Sequence, residues 1–162
     1  MTPATSIIRN EGEGERRWFF GGGVHTWKAS AAETNGAFLL FEDLVEQGKS
    51  TPLHCHPEAD ETLYVLDGEI VLHIDGREHT VGRGAVTVAP RGEPHAFRVN
   101  SATARLLTLH TPGTAEAFFL DASEPIVDEH DATGNVDIAR VQASARDNGG
   151  TQILGPPPFS PA

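Results

Sequence analysis

His54 and His56 are separated by one residue, so on an extended strand both imidazoles leave the same face and can converge on one ion. Glu61 follows five residues after His56, beyond a bend expected at Pro57, and can add an oxygen donor. His95 stands 34 residues after Glu61, in Pro90-Arg-Gly-Glu-Pro-His95, where another β run begins. Three imidazoles and one carboxylate form a nitrogen and oxygen set suited to Fe, Ni, Mn, Co, Cu or Zn, and unlike the all-oxygen sites of calcium or magnesium. Donor type does not choose among those transition metals. A closed structural zinc site usually includes thiolates. The single cysteine, Cys55, falls between two of the histidines and is expected on the opposite face as a small packing residue. Glu61 differs in kind from the imidazoles, because a carboxylate can bind a metal and can also accept a substrate proton as a general base.

The other histidines carry less. His73 alternates against Ile70, Leu72 and Ile74 and is expected on an outer surface. His25, His79 and His130 lie in polar or loop-like stretches, where a solvated role is expected. His110 ends the run Leu106-Leu-Thr-Leu109, whose parity is ambiguous.

Short apolar runs punctuated by 17 glycines and 11 prolines predict many short strands, not long helices. Runs at Phe38–Phe41, Thr62–Leu66, Ile70–Ile74, Ala85–Ala89, Ala96–Val99 and Arg105–His110 have the spacing of an antiparallel sandwich or barrel. Asp67-Gly68 and Asp75-Gly76 read as hairpin turns, since both residue types tolerate positive φ. After Pro112-Gly113 the pattern predicts a short helix capped by Thr114, then a second capped by Asn135, with Ile138, Val141 and Ala145 on one face and Gly149 as its stop. The Pro-rich end, Gly155-Pro-Pro-Pro158-Phe159, is expected to lie extended on the surface. Ahead of the strands, Arg16-Arg-Trp-Phe-Phe20 and a triple glycine are expected to pack on the barrel or on a second subunit, because large aromatics gain most by burial.

The spacing around the histidines resembles the cupin family. Gly48, His54, His56, Glu61 and Gly68 fit the family's first signature throughout, and Gly84, Pro90, Gly92 and His95 fit the second. The second signature ends on an asparagine four residues after its histidine; here that position is Val99, and Asn100 comes one residue late. The resemblance implies an all-β fold, a cupin jelly-roll β-barrel with an N-terminal arm and short C-terminal helices. It divides the chain into an arm at 1–33, a barrel at 34–112 and a helical appendage with a Pro-rich tail at 113–162, one domain overall. It also implies one divalent transition metal per chain, held by His54, His56, Glu61 and His95.

Within the family, the complete donor set looks like the quercetinase-type monocupins. That implies dioxygenation of a flavonol or another enol, with Glu61 as base, dioxygen as co-substrate, and Leu63, Val65, Phe97 and Val99 as pocket walls by strand parity. A metal-assisted cyclase, isomerase or epimerase is the alternative reading, and a non-catalytic small-molecule-binding cupin is another. The formal charge of -11 argues against a nucleic-acid surface. No run reaches the length of a membrane span, and the opening residues lack a signal-peptide apolar region, so a cytoplasmic location is expected. Open sheet edges lead to the expectation of a homodimer, through Trp18–Phe20 or the Phe38 strand.

Overall fold

A computed structural model describes residues 3–128 and 134–160. Two antiparallel sheets face each other. The larger comprises β1 (Glu15–Phe19), β2 (Val24–Ala29), β3 (Leu39–Glu46), β5 (Asp60–Asp67), β8 (Val86–Ala89), β10 (Thr103–Thr111) and β11 (Ser123–Pro125), in the order β11-β1-β2-β3-β10-β5-β8. The smaller comprises β4 (Leu53–Cys55), β6 (Glu69–Ile74), β7 (Arg77–Gly82), β9 (His95–Val99) and β12 (Gln152–Gly155), in the order β12-β4-β9-β6-β7. Helices α1 (Glu116–Asp121) and α2 (Ile138–Asn148) follow the strand-rich block. The fold is the expected jelly roll.

Alternation within the strands builds two apolar layers. Val45, Leu63, Val65, Ile70, Leu72, Phe97, Val99 and Leu106 fill one end of the space between the sheets. Phe19, Phe20, Trp27, Leu39, Phe41, Phe118, Phe119 and Val141 fill the other, beneath the helices. Polar residues break this pattern at inward positions of the larger sheet: Asp43 on β3, Glu61 on β5, and Thr108 and His110 on β10, all buried. Polar groups placed where apolar ones would pack better mark the part of the barrel built for chemistry.

Several local expectations change. Asp75-Gly76 is a two-residue hairpin, with Ile74 opposite Arg77 and positive φ at both turn residues. Asp67-Gly68 is instead a corner that carries the chain from β5 in one sheet to β6 in the other. Its Gly68 (φ +83°) is pressed against the Thr103 carbonyl, leaving no room for a side chain. The segment expected as an arm supplies β1 and β2 as strands of the larger sheet, with Trp27 opposite Phe41. Thr114 does not cap α1; the N-cap is Ala115, which is fully buried, so packing sets where that helix starts. Asn135 does not cap α2; its carbonyl accepts from Trp18 Nε1 at 3.2 Å. The cap is Asp137, whose side chain accepts from the Arg140 N–H at 3.1 Å, and Gly149 ends the helix as expected. The Pro-rich end runs along the smaller sheet, with Phe159 beneath the Arg98 guanidinium at 5.2 Å and edge-on to His73.

Candidate metal centre

The four spaced residues meet between the two sheets. His54 on β4 lies directly opposite His95, the first residue of β9, and His56 follows immediately after β4 ends. Glu61 reaches across from β5 of the larger sheet. One donor atom from each of the four lies within 4.8 Å of all the others, and the cluster could hold a metal ion. Glu61 Oε2 is 2.7 Å from His56 Nε2, and its Oε1 is 3.4 Å from His95 Nε2.

The backbone aims the rings. His54 Nδ1 lies 2.8 Å from the Pro52 carbonyl, His95 Nδ1 2.8 Å from the Glu93 carbonyl, and His56 Nδ1 3.0 Å from the Gly150 carbonyl. A carbonyl only accepts, so each Nδ1 carries the proton and each Nε2 is left with its lone pair. The Nε2 atoms of His56 and His95 are buried with no hydrogen-bond partner. Lone pairs converging on a carboxylate repel one another unless a cation lies between them, so the donor set fits a metal ion. With no cation between them, the titrating groups act on one another instead. Burial, with the neighbouring His95 and His56, lowers His54 to about 3. Burial works to raise the Glu61 carboxyl, but the charges of His95 and His56 hold it well below the usual range. His95 moves the other way, since the pull of Glu61 and the Glu93 carbonyl outweighs its burial.

Two further histidines are buried, one left open by the sequence and one expected in solvent. His110 is directly opposite Glu61 in the β10–β5 register, fully buried, with Nε2 3.4 Å from Glu61 Oε2. Ala104, Leu106, Thr108 and His110 alternate inward; the polar Thr108 obscured a parity that Ala104 and Leu106 fix. His25, expected in solvent, is 1% exposed and stacked between Phe19 at 4.8 Å and Phe41 at 4.3 Å. The alternation of His25, Trp27 and Ala29 was the signal for it. His73 sits half-buried against Phe159, His79 is exposed, and His130 lies outside the described residues. Cys55 is buried, and burial raises its thiol.

A cavity of about 80 Å³ opens beside the cluster, walled by Phe19, Phe41, Leu63, Phe97, Phe118 and Phe119. Leu63 and Phe97 are therefore where strand parity put them. Val65 and Val99 face inward too, but they pack in the apolar layer with Ile70 and Leu72 and do not line the cavity. Successive inward residues on a strand are about 7 Å apart, so Val65, two steps from Glu61, falls in the next layer. Side chains of the other sheet and of the helices supply the missing walls. His25, Asp43 and Lys49 line it too, and Asp43 is opposite Leu106, four residues along β10 from the position opposite Glu61.

Residues 41–110 match the family model described as Cupin domain. The chain is similar to the "Quercetin 2,3-dioxygenase" of Bacillus subtilis (strain 168), with 32% identity over 118 residues, 73% of this chain and 35% of that protein. It thus spans about a third of that relative's length. Among solved structures, KdgF from Halomonas sp. superposes with a TM-score of 0.60 at 18% identity, covering 67% of this chain and 94% of the other, which is a likeness of fold. The polyketide cyclase RemF from Streptomyces resistomycificus superposes with a TM-score of 0.50 at 28% identity, covering 68% and 78%.

Proposed function

The chain is a cupin that resembles quercetinase, and from that premise we propose that it is a metal-dependent dioxygenase acting on a flavonol-like or other enol. The observation that carries this reading is the convergence of three carbonyl-anchored histidines and one carboxylate beside a phenylalanine-walled cavity. His54, His56, Glu61 and His95 would hold one divalent transition metal, drawn from Fe, Ni, Mn, Co, Cu or Zn. When bound, that metal supplies a Lewis acid that lowers the pKa of a substrate hydroxyl and gives dioxygen a place beside the activated ring.

The chain's own residues do the rest. Glu61 is ionised and buried, so it can take the proton of the enol hydroxyl within hydrogen-bond reach. His110, lowered to about 3 by burial and by His56, is neutral and sits against the same carboxylate. Neither of its ring nitrogens has a hydrogen-bond partner, so in the Nε2–H tautomer a small ring movement would bring a donor to the carboxylate that accepts the substrate proton. Leu63, Phe97 and the phenylalanines around them keep bulk water from the reacting carbon and present flat faces to a flat substrate.

The second reading is a metal-assisted cyclase or isomerase, supported by the likeness to RemF. It would use Glu61 for proton transfer without consuming oxygen. We further propose that the protein is a cytoplasmic homodimer. Separately, no helix among the described residues is long and apolar enough to cross a membrane. Elemental analysis followed by oxygen-uptake assays with flavonols and smaller enols, comparing native protein with Glu61→Gln, tests the main reading. Bound transition metal and oxygen uptake that falls at least about a hundredfold in Glu61→Gln are expected. Metal without uptake on any enol moves the assignment to the cyclase reading, and no metal after reconstitution overturns both.

A further inference from the structure

Asp43 occupies an inward position of β3 between Phe41 and Val45, and its side chain is 7% exposed. Its Oδ1 has no hydrogen-bond partner; His25 Nε2, on a ring that burial keeps neutral, is 3.6 Å away. His25 Nδ1 and Ser50 Oγ are likewise buried and unpartnered. Lys49 donates to the Gly22 carbonyl and lies 5.0 Å from the centre of the Phe19 ring, with further N–H donors to spare. All four residues line the same cavity, and no ion pair joins Asp43 to Lys49 among the described residues. Gly23 keeps this end open, since a Cβ there would come within 3.0 Å of Asp43 Oδ1 and 2.9 Å of Val45.

A carboxylate and an ammonium group that face a cavity separately leave unmet hydrogen-bonding capacity, which is costly in an apolar setting. The missing partner must satisfy both signs. An anion would be repelled by Asp43 and a cation by Lys49; a neutral hydroxyl can donate to the first and accept from the second. We propose that this end of the cavity is a hydroxyl-recognition subsite, in which Asp43 accepts from a substrate hydroxyl and Lys49 donates to the same oxygen. The subsite rests on the reading of the four-residue cluster as the other, metal-holding anchor. Register sets the length of the ligand. Asp43 is opposite Leu106, whereas Glu61 is opposite His110, four residues further along β10, on the order of 13 Å along the strand. A hydroxylated substrate of more than one ring spans such a distance, and a small keto-acid does not.

The test is direct binding to metal-loaded protein, by calorimetry under anaerobic conditions, of quercetin and of 3-hydroxyflavone. Both keep the 3-hydroxy-4-keto pair, but the second lacks every other hydroxyl. Quercetin is expected to bind about tenfold to a hundredfold more tightly. Asp43→Leu and Lys49→Met should each weaken quercetin about tenfold and leave 3-hydroxyflavone within about twofold, with metal content unchanged. Lys49, being only half-buried, gives the variant better able to fold if Asp43→Leu does not. Equal affinity of native protein for both flavonols, or a ratio unmoved by Lys49→Met, overturns the subsite. The metal-holding anchor is judged separately: if 3-hydroxyflavone binds metal-free and metal-loaded protein equally, that reading fails, while the quercetin ratio still decides the subsite. No binding of quercetin at all overturns both.

Discussion

At the scale of single residues, His110 divides the proposed ligands from their supports. It faces Glu61, but its donor atoms lie outside the four-residue group whose atoms converge. His54→Ala should therefore abolish stoichiometric metal, whereas His110→Ala should retain it with affinity weakened about tenfold to a hundredfold, the usual cost of removing a group that orients a ligand. Metal titration monitored by competition with a chelator distinguishes the two, and equal loss in both variants would contradict the division. Asp43 gives a second prediction. Burial raises its carboxyl to about 6 from 3.8, with Lys49 opposing and Glu61 adding to the rise. A folded-state pKa above the unfolded value means a contribution to stability that is present below pH 3.8 and lost as pH rises through about 6. Relative to Asp43→Asn, the native protein should lose on the order of 3 kcal/mol between pH 3.8 and 7.5, read from urea unfolding at each pH. A difference that does not change with pH would show that Asp43 does not titrate as described. The cluster was legible in the sequence because its spacing is rigid and local. His110 was less so, as its strand also turns the polar Thr108 inward, and alternation of polarity then no longer reports direction; His25 was marked only by Trp27 and Ala29 on the same face of a short strand.

At the scale of elements, the cavity is shaped by pieces far apart in sequence. Ile138 and Val141 of α2 line it, and Ser144, fully buried on the same helix, donates to the Phe118 carbonyl of α1 at 2.9 Å. The residues just after α2 also enter the site, for the Gly150 carbonyl and Thr151 hydroxyl both contact His56 Nδ1. A cavity of about 80 Å³ holds several water molecules, so a substrate of two or more rings needs a wall to yield, and α2 is the wall predicted to do so. Asp137→Ala removes the cap of this helix and should cost about 1 kcal/mol. Hydrogen exchange should quicken in residues 138–148 while β5 and β10 stay protected. Faster association of quercetin in the same variant would identify α2 as the cover; exchange that quickens uniformly would instead mean that the helix and barrel open as one unit. The sequence revealed this helix through its apolar face, yet misplaced its cap by two residues. The residues leading into it are held by tertiary contacts, the Asp137 N–H donating to the Phe20 carbonyl at 2.8 Å and Trp18 donating to the Asn135 carbonyl, which local residue preferences do not contain. Asp67-Gly68 failed for a related reason, since the dipeptide specifies positive φ but not whether the next strand stays in the same sheet.

At the scale of the whole molecule, the aromatic segment Trp18–Phe20 is not free to make the expected dimer contact. Phe19 and Phe20 are buried within their own chain, and Trp18 packs against the same cluster. A different apolar face is open. Val86 and Val88 on the edge strand β8, Tyr64 beside them on β5 and Leu44 on β3 are 60%, 54%, 42% and 43% exposed, all on strands of the larger sheet. Register puts Tyr64 opposite Val86, and Thr62 opposite Val88, so the β5 and β8 residues form one continuous patch at an uncovered edge. A two-fold pairing of this face would bury the patch against its own copy. Light scattering should then give twice the chain mass of 17.3 kDa, and Val88→Arg should return it to the single-chain value. The charge of -11 sharpens the test. Two such chains repel, so a dimer held by apolar contact should tighten as salt rises from about 0.01 to 0.15 M, where the screening length falls from about 30 to 8 Å. A dimer that loosens with salt would have to be held by ion pairs instead, and a native protein of single-chain mass at every ionic strength would leave this face without a second copy.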